Sequence, residues 1–144
     1  MKTLDAARPL VGAVSVGLAS AAFEAACKYA KERQQFGKPI ASFQLVQAMI
    51  AEMAMAVETA RLMVYKACWM KDQGMDYQLE SAMAKCLAAD VAMKVTTDAV
   101  QVMGGYGYMK EYPVEKMMRD AKIMQIYEGT NQIQRLVIAN NILY

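Results

Sequence analysis

The sequence predicts an all-α protein, an up-and-down helical bundle, and three observations predict it. Apolar residues recur at helical spacing along nearly the whole chain, and strand signals are almost missing. The breaks fall at Gly37-Lys38-Pro39, Gly74, Gly104-Gly105 and Glu128-Gly129, which leaves segments too long for ordinary strands. Short connections between long amphipathic helices favour antiparallel neighbours. At 144 residues and 56% hydrophobic content, the chain reads as a single domain over 1–144 with a real core, and disorder is excluded.

Each element follows from its punctuation. The first helix begins near Leu4 to Arg8 and runs to about Arg33, with Pro9 tolerated in its first turn or at a shallow kink. Its Gly12, Ala13, Gly17, Ala21, Ala22, Ala25 and Ala26 let neighbouring helices approach closely, and Gly37-Lys38-Pro39 stops it. Ser42 is a fair N-cap for a second helix from Phe43 to about Gln73, with a stripe through Leu45, Met49, Met53, Ala56, Ala60, Met63, Val64 and Ala67. A third helix spans about Tyr77 to Met103, with Met83, Leu87, Val91, Val95 and Val102 facing in. Gly104-Gly105-Tyr106-Gly107-Tyr108 reads as a loop, since each glycine costs a helix about 1 kcal/mol. Pro113 opens a shorter helix to about Gln125, and Thr130 caps a last one to Leu143. The 14 methionines are read as gap fillers on inward stripes.

Composition removes several function classes. A net charge of +2 without a basic run gives no nucleic-acid footprint. The absence of histidine removes Ser–His and Cys–His catalysis and most zinc sites, and no metal is expected. Cys27, Cys68 and Cys86 lie inside apolar helical patterns and read as buried thiols in a reducing compartment. The uncharged run from Pro9 to Phe23 is shorter than the roughly 18–20 apolar residues of a membrane span. Asp5 and Glu24 spoil the export and lipoprotein readings, so a soluble chain with its targeting information absent or removed is expected.

One carboxylate looks placed rather than scattered. Glu128 falls on a break after the apolar run Met124 to Tyr127, with Gly129 behind it to free the backbone and Thr130 to start the next helix. A carboxylate on such a corner, made more basic by apolar surroundings, suits proton abstraction. The plainer reading is a solvated loop residue beside a cap. Three further stretches sit at helix ends, free to meet a ligand: Asp5-Ala6-Ala7-Arg8, then Arg33 to Lys38 with Phe43-Gln44, and Gln101 to Gly105. Arg33 is a planar donor suited to phosphate, Phe36 offers a flat apolar face, and Gly104-Gly105 lets backbone approach an anionic or planar ligand. Each alone is weak.

Together, the ordered stretches Tyr29–Pro39, Gln101–Tyr108, Glu111–Ile123 and Tyr127–Gln134 resemble the signatures of acyl-CoA dehydrogenases. The match is to the C-terminal helical domain of the short- and medium-chain type, over essentially the whole chain. The resemblance implies an FAD-dependent α,β-dehydrogenation of acyl-CoA to trans-2-enoyl-CoA, with Glu128 as the base that removes the α-proton. It implies that Arg33, Gln35 and Phe36, with Phe43 and Gln44, contact the FAD pyrophosphate and adenosine region, generally of a neighbouring subunit. Gln101, Gly104 and Gly105 fall on the loop against the ADP half, and Thr130 and Gln132 on flavin-side contacts. Asp5, Arg8 and Gly129 fall near the bound acyl-CoA. It also implies a homo-oligomer, dimer or tetramer, electron-transfer flavoprotein as electron acceptor, and a bacterial cytoplasm or mitochondrial matrix. The family's N-terminal helical domain and middle β-domain have no counterpart here, so an isolated domain is expected, inactive alone. An assembly module without chemistry, or a relative with other flavin chemistry, are the alternatives.

Overall fold

A helix of small residues lies at the centre. The structure, a computed structural model, describes residues 2–144, apart from the side chains of Lys2, Thr3 and Asp5. The elements are α1 (Lys2–Glu32), β1 (Gln34–Gln35), β2 (Lys38–Pro39), a 3-10 turn (Ile40–Ser42), α2 (Gln44–Asp72), α3 (Gln78–Met103), α4 (Gly105–Tyr108), α5 (Val114–Met124) and α6 (Asn131–Leu143). All five other helices pack on α3. Its alanines at 82, 84, 88, 89, 92 and 99 are all buried, because small side chains let several axes approach at once. The inward face expected for this helix is therefore only part of the truth. Val91, Val95 and Val102 are buried, but Met83 and Leu87 are half-buried, since a central helix has no single inward face.

Two contacts fix the bundle's directions. A Cβ added at Gly12 would meet Val64 Cγ2 at 2.9 Å and the Ala84 carbonyl oxygen at 3.4 Å, so the first third of α1 lies against early α3 and late α2. At the other end, the Arg33 guanidinium sits 5.3 Å from the Tyr106 ring centroid. Hence α1 and α3 run parallel and pack directly on each other, and α2, which joins them along the chain, runs the opposite way, as an up-and-down bundle requires. Pro9 is fully buried inside α1, which begins at Lys2, earlier than the sequence suggests. The segment Ala6–Glu32 is long and apolar enough to cross a membrane by length and composition, beyond the Pro9–Phe23 run considered above. Here that apolarity serves packing, with Val16, Ala19, Ala22, Ala26 and Ala30 in the core.

Other boundaries differ for local reasons. Ser42 does not cap α2: its hydroxyl donates to the Pro39 carbonyl at 2.7 Å inside the 3-10 turn, and Phe43 takes the cap position with no side-chain bond. Leu45 is exposed, and the buried stripe of α2 runs through Met53, Val57, Ala60, Val64, Ala67 and Met70 instead. The 37–39 stop is a miniature antiparallel hairpin turning at Phe36 (φ 52°) and Gly37 (φ 76°), the paired positive φ of a two-residue turn. The glycine-rich 104–108 stretch closes one helical turn, not a loop. Gly107 makes this possible, since a Cβ there would lie 2.7 Å from the Val100 carbonyl oxygen. Of the cysteines, Cys86 is buried, whereas Cys27 and Cys68 are half-buried.

Candidate active site

The Glu128 corner is the most heavily tied turn in the chain. After α5 the backbone tightens, with the Ile126 and Tyr127 amides both donating to the Ile123 carbonyl at 2.9 and 3.1 Å. Glu128 then enters the left-handed region (φ 54°), followed by Gly129 (φ 88°). For a non-glycine residue that conformation is uncommon and persists where surrounding structure fixes it. The left-handed backbone favours glycine there, and a Cβ on Gly129 would lie 2.5 Å from Gln134 Nε2 and push that side chain from its place. The Asn131 amide closes the loop by donating to the Gln125 carbonyl at 3.0 Å. Thr130 caps α6 as expected, accepting from the Ile133 amide at 3.3 Å.

Beneath the corner lies a polar network that sequence reading misses. Gln134 is fully buried, and its Nε2 donates to the Glu128 and Gly129 carbonyls at 3.3 and 3.2 Å. Lys85, also fully buried, donates to the Gly129 carbonyl and to Asn131 Oδ1, both at 2.8 Å. Asn131 Nδ2 donates to the Cys86 carbonyl at 3.1 Å and to Asp90 Oδ1 at 2.8 Å. Asp90 Oδ1 also accepts from Gln125 Nε2 at 2.7 Å, and its Oδ2 from Arg135 Nη2 at 2.5 Å. Burial pulls the Lys85 ammonium below its ordinary pKa, an effect that Arg8 deepens while Asp90 and Glu128 oppose it. Burial likewise pushes the Cys86 thiol up. A signal for this network exists in the sequence: Lys85 and Asp90 are the only charges in an otherwise apolar run from Ser81 to Met93.

Glu128 itself is half-buried, and among the described residues its carboxylate accepts no hydrogen bond and forms no ion pair. Its backbone is fixed while its side chain is left to act. Arg8 is buried within electrostatic reach of Lys85, which places it at this end of the molecule, and the Asp5 side chain lies outside the described residues. Thr130 and Gln132 line a cavity of about 470 Å³ with Asp90, Lys122, Gln125 and Arg135.

The remaining candidates gather elsewhere. Arg33, Gln35, Gly104 and Gly105 line a cavity of about 520 Å³, together with Tyr29 and Tyr106. Phe36, 91% exposed at the hairpin tip, meets Phe43 edge-on at 6.1 Å, and Lys38 Nζ stands 4.6 Å over the Phe43 ring. Gln44 opens α2 beside them, and Gln101 is exposed in the last turn of α3. A helical rise of about 1.5 Å per residue places Gln101 about 24 Å along α3 from Lys85. The candidate residues therefore form two groups at opposite ends of one helix.

Comparison with known proteins decides what these ends belong to. The family profile described as "Acyl-CoA dehydrogenase, C-terminal domain" matches residues 1–143.

The chain belongs to the acyl-CoA dehydrogenase family.

It is 57% identical over 144 residues to the probable acyl-CoA dehydrogenase FadE25 of Mycobacterium tuberculosis, covering 99% of this chain and 37% of that protein. The structure of butyryl-CoA dehydrogenase from Megasphaera elsdenii superposes with a TM-score of 0.99 at 51% identity, over all of this chain and 38% of that one. The structure titled "PigA with FAD and proline" superposes at 0.93, with 37% identity over 96% of this chain and 36% of that one. The chain thus spans a little over a third of the length of such relatives. The all-α expectation and the resemblance drawn from the four sequence stretches are both borne out.

Proposed function

We propose that this acyl-CoA dehydrogenase domain supplies the proton-abstracting base, Glu128, for α,β-dehydrogenation of acyl-CoA thioesters. The observation that carries the reading is the corner itself: a carboxylate that accepts no hydrogen bond among the described residues, on a left-handed residue whose own carbonyl and that of Gly129 are held from below. The α-proton of a thioester is weakly acidic, so a carboxylate held ready in a site that excludes water is the fitting acceptor. Glu128 takes the α-proton, and the electrons of the broken Cα–H bond become the new carbon–carbon π bond as the β-hydrogen departs with its pair. FAD, when bound, supplies the acceptor for that hydride. Gly129 follows the base directly and Arg8 is buried within electrostatic reach of Lys85, which supports assigning both to the thioester end of the substrate; the assignment of Asp5 rests on the family alone.

The cavity at the far end fits part of FAD by its chemistry. Arg33 and Gln35 offer donors to a pyrophosphate and Tyr106 a flat face to a ring, while Phe36 offers another outside the cavity, at the exposed hairpin tip. Phe43, Gln44, Gln101, Gly104 and Gly105 complete that patch, whereas Thr130 and Gln132 would meet the flavin side next to the base. The separation along α3 supports two partial sites on one chain, each completed by another domain or another copy. Exposed Leu45, Met55, Leu62, Tyr65 and Trp69 on α2, with Leu136, Ile142 and Leu143 on α6, support a homo-oligomer. Electron-transfer flavoprotein as acceptor follows from the family alone, and the bacterial relatives favour a bacterial cytoplasm.

The test is dye reduction by butyryl- or octanoyl-CoA. A full-length enzyme carrying this domain turns over, and Glu128→Gln lowers its kcat by about 10²–10⁴-fold, the range of general-base contributions. The 144 residues alone bind FAD weakly and do not turn over, because lost charge-assisted contacts cost about 1.5–3 kcal/mol each. A fully active Glu128→Gln enzyme would remove the assignment.

A further inference from the structure

Lys85 is the largest fully buried side chain among the described residues. Burying an ammonium costs several kcal/mol even when it is hydrogen-bonded, and a methionine of similar volume would fill the space without that cost. A charge in such a place has to do something that volume cannot. Its two hydrogen bonds show where it acts. From α3 it reaches the carbonyl of Gly129 and the side chain of Asn131, one on each side of Thr130. The loop between α5 and α6 is thereby fastened directly after Glu128.

The conformation being fastened is an unfavourable one. Glu128 at φ 54° sits in the left-handed region, which a non-glycine residue adopts only at an energetic cost. Released, it would relax to a negative φ and swing its carboxylate away. Gln134 helps from α6, but α6 begins only two residues beyond Gly129 and would move with the loop. Lys85 is the tie from the central helix that reaches the Gly129 carbonyl itself. Asp90, one turn further along α3, holds Asn131 and Arg135 and so secures the other end of the same tie.

We propose that Lys85 is a positioning residue for the base: its buried ammonium, bound to the Gly129 carbonyl and Asn131 Oδ1, holds Glu128 in the left-handed conformation that presents its carboxylate. The proposal rests on the reading of Glu128 as the base. Lys85 touches neither substrate nor cofactor. It acts through one bond to the Gly129 carbonyl and one to the Asn131 side chain, which together hold the residue that does.

The experiment compares Lys85→Met and Lys85→Gln with Glu128→Gln in the full-length enzyme that carries this domain, reading kcat, KM, flavin content and the isotope effect on α-deuterated substrate. A base displaced by about an ångström loses on the order of a hundredfold in rate. Lys85→Met is expected to lose that much kcat per bound flavin, with KM little changed and a larger α-deuterium effect. Lys85→Gln, which keeps a donor, is expected to fall between Met and the wild type. A Lys85→Met enzyme with kcat within threefold of wild type and an unchanged isotope effect overturns the proposal. So does a loss that merely follows flavin content, because a structural lysine would behave that way. Should Lys85→Met not fold, Lys85→Gln decides by the same readings, and failure of both to fold also overturns it. Full activity in Glu128→Gln would sink the base assignment and this proposal together, whereas an inactive Glu128→Gln beside a fully active Lys85→Met would sink the Lys85 role alone.

Discussion

The two ends of α3 are built on opposite plans. At the Glu128 end, carbonyls, amides and side chains are tied to one another beneath the surface, and buried Lys85, Asn131 and Gln134 fix a strained turn. At the Arg33 end the polar groups point outward, around a cavity lined by tyrosines and glycines and a hairpin whose tip residue is almost wholly exposed. The first end has spent its hydrogen bonds on itself. The second has kept them for something else. The lesson is that a group meant to react has to be held before substrate arrives, whereas groups meant to bind a cofactor can be left to be ordered by it.

That contrast can be broken most forcefully at Gly129. Gly129→Ala places a Cβ 2.5 Å from Gln134 Nε2 in a left-handed backbone, and is expected to cost about 1–3 kcal/mol by urea unfolding. An alanine that left stability unchanged would mean that the corner is loose. Smaller effects on stability sharpen the same comparison. Thr130→Ala removes the α6 cap and should cost about 1 kcal/mol. Phe36→Ala, at the exposed tip of the other end, should stay within about 0.5 kcal/mol while weakening FAD binding in the complete enzyme.

The smallest expected effect is in pH dependence. Lys85 titrates below its ordinary 10.5 in the folded chain. In the window below 10.5 the unfolded chain therefore binds more protons, and unfolding free energy contributed by this group rises with pH. The cost of the buried charge is full at neutral pH and is relieved as pH climbs through the folded value toward 10.5. Wild type should thus gain on Lys85→Met as alkaline pH rises. Cys86, pushed above 9.0, slopes the other way, but it is present in both proteins and largely cancels.

How much of this was legible in the sequence depends on the range of the cause. Helix existence, the Thr130 cap and the Glu128 corner follow from local chemistry, and all were readable. Ser42 was misjudged because its hydroxyl had a closer partner in Pro39, and Leu45 because the buried face of α2 begins only at Met53. The 104–108 turn was misjudged because Gly107 packs on Val100, a contact propensity does not encode. Lys85, Asp90, Asn131 and Gln134 were missed altogether. Their bonds span more than forty residues in the case of Lys85 and Asn131, and only the fold brings such partners together.

The most direct measurement is amide hydrogen exchange on the ligand-free chain, comparing the two ends residue by residue. The account predicts that the Asn131 and Gln134 amides, bonded to Gln125 and Thr130, exchange orders of magnitude more slowly than the Phe36 and Gly37 amides at the hairpin tip. Equal, fast exchange at both ends would contradict it, because the Glu128 corner would then be no more held than the loop that waits for a ligand.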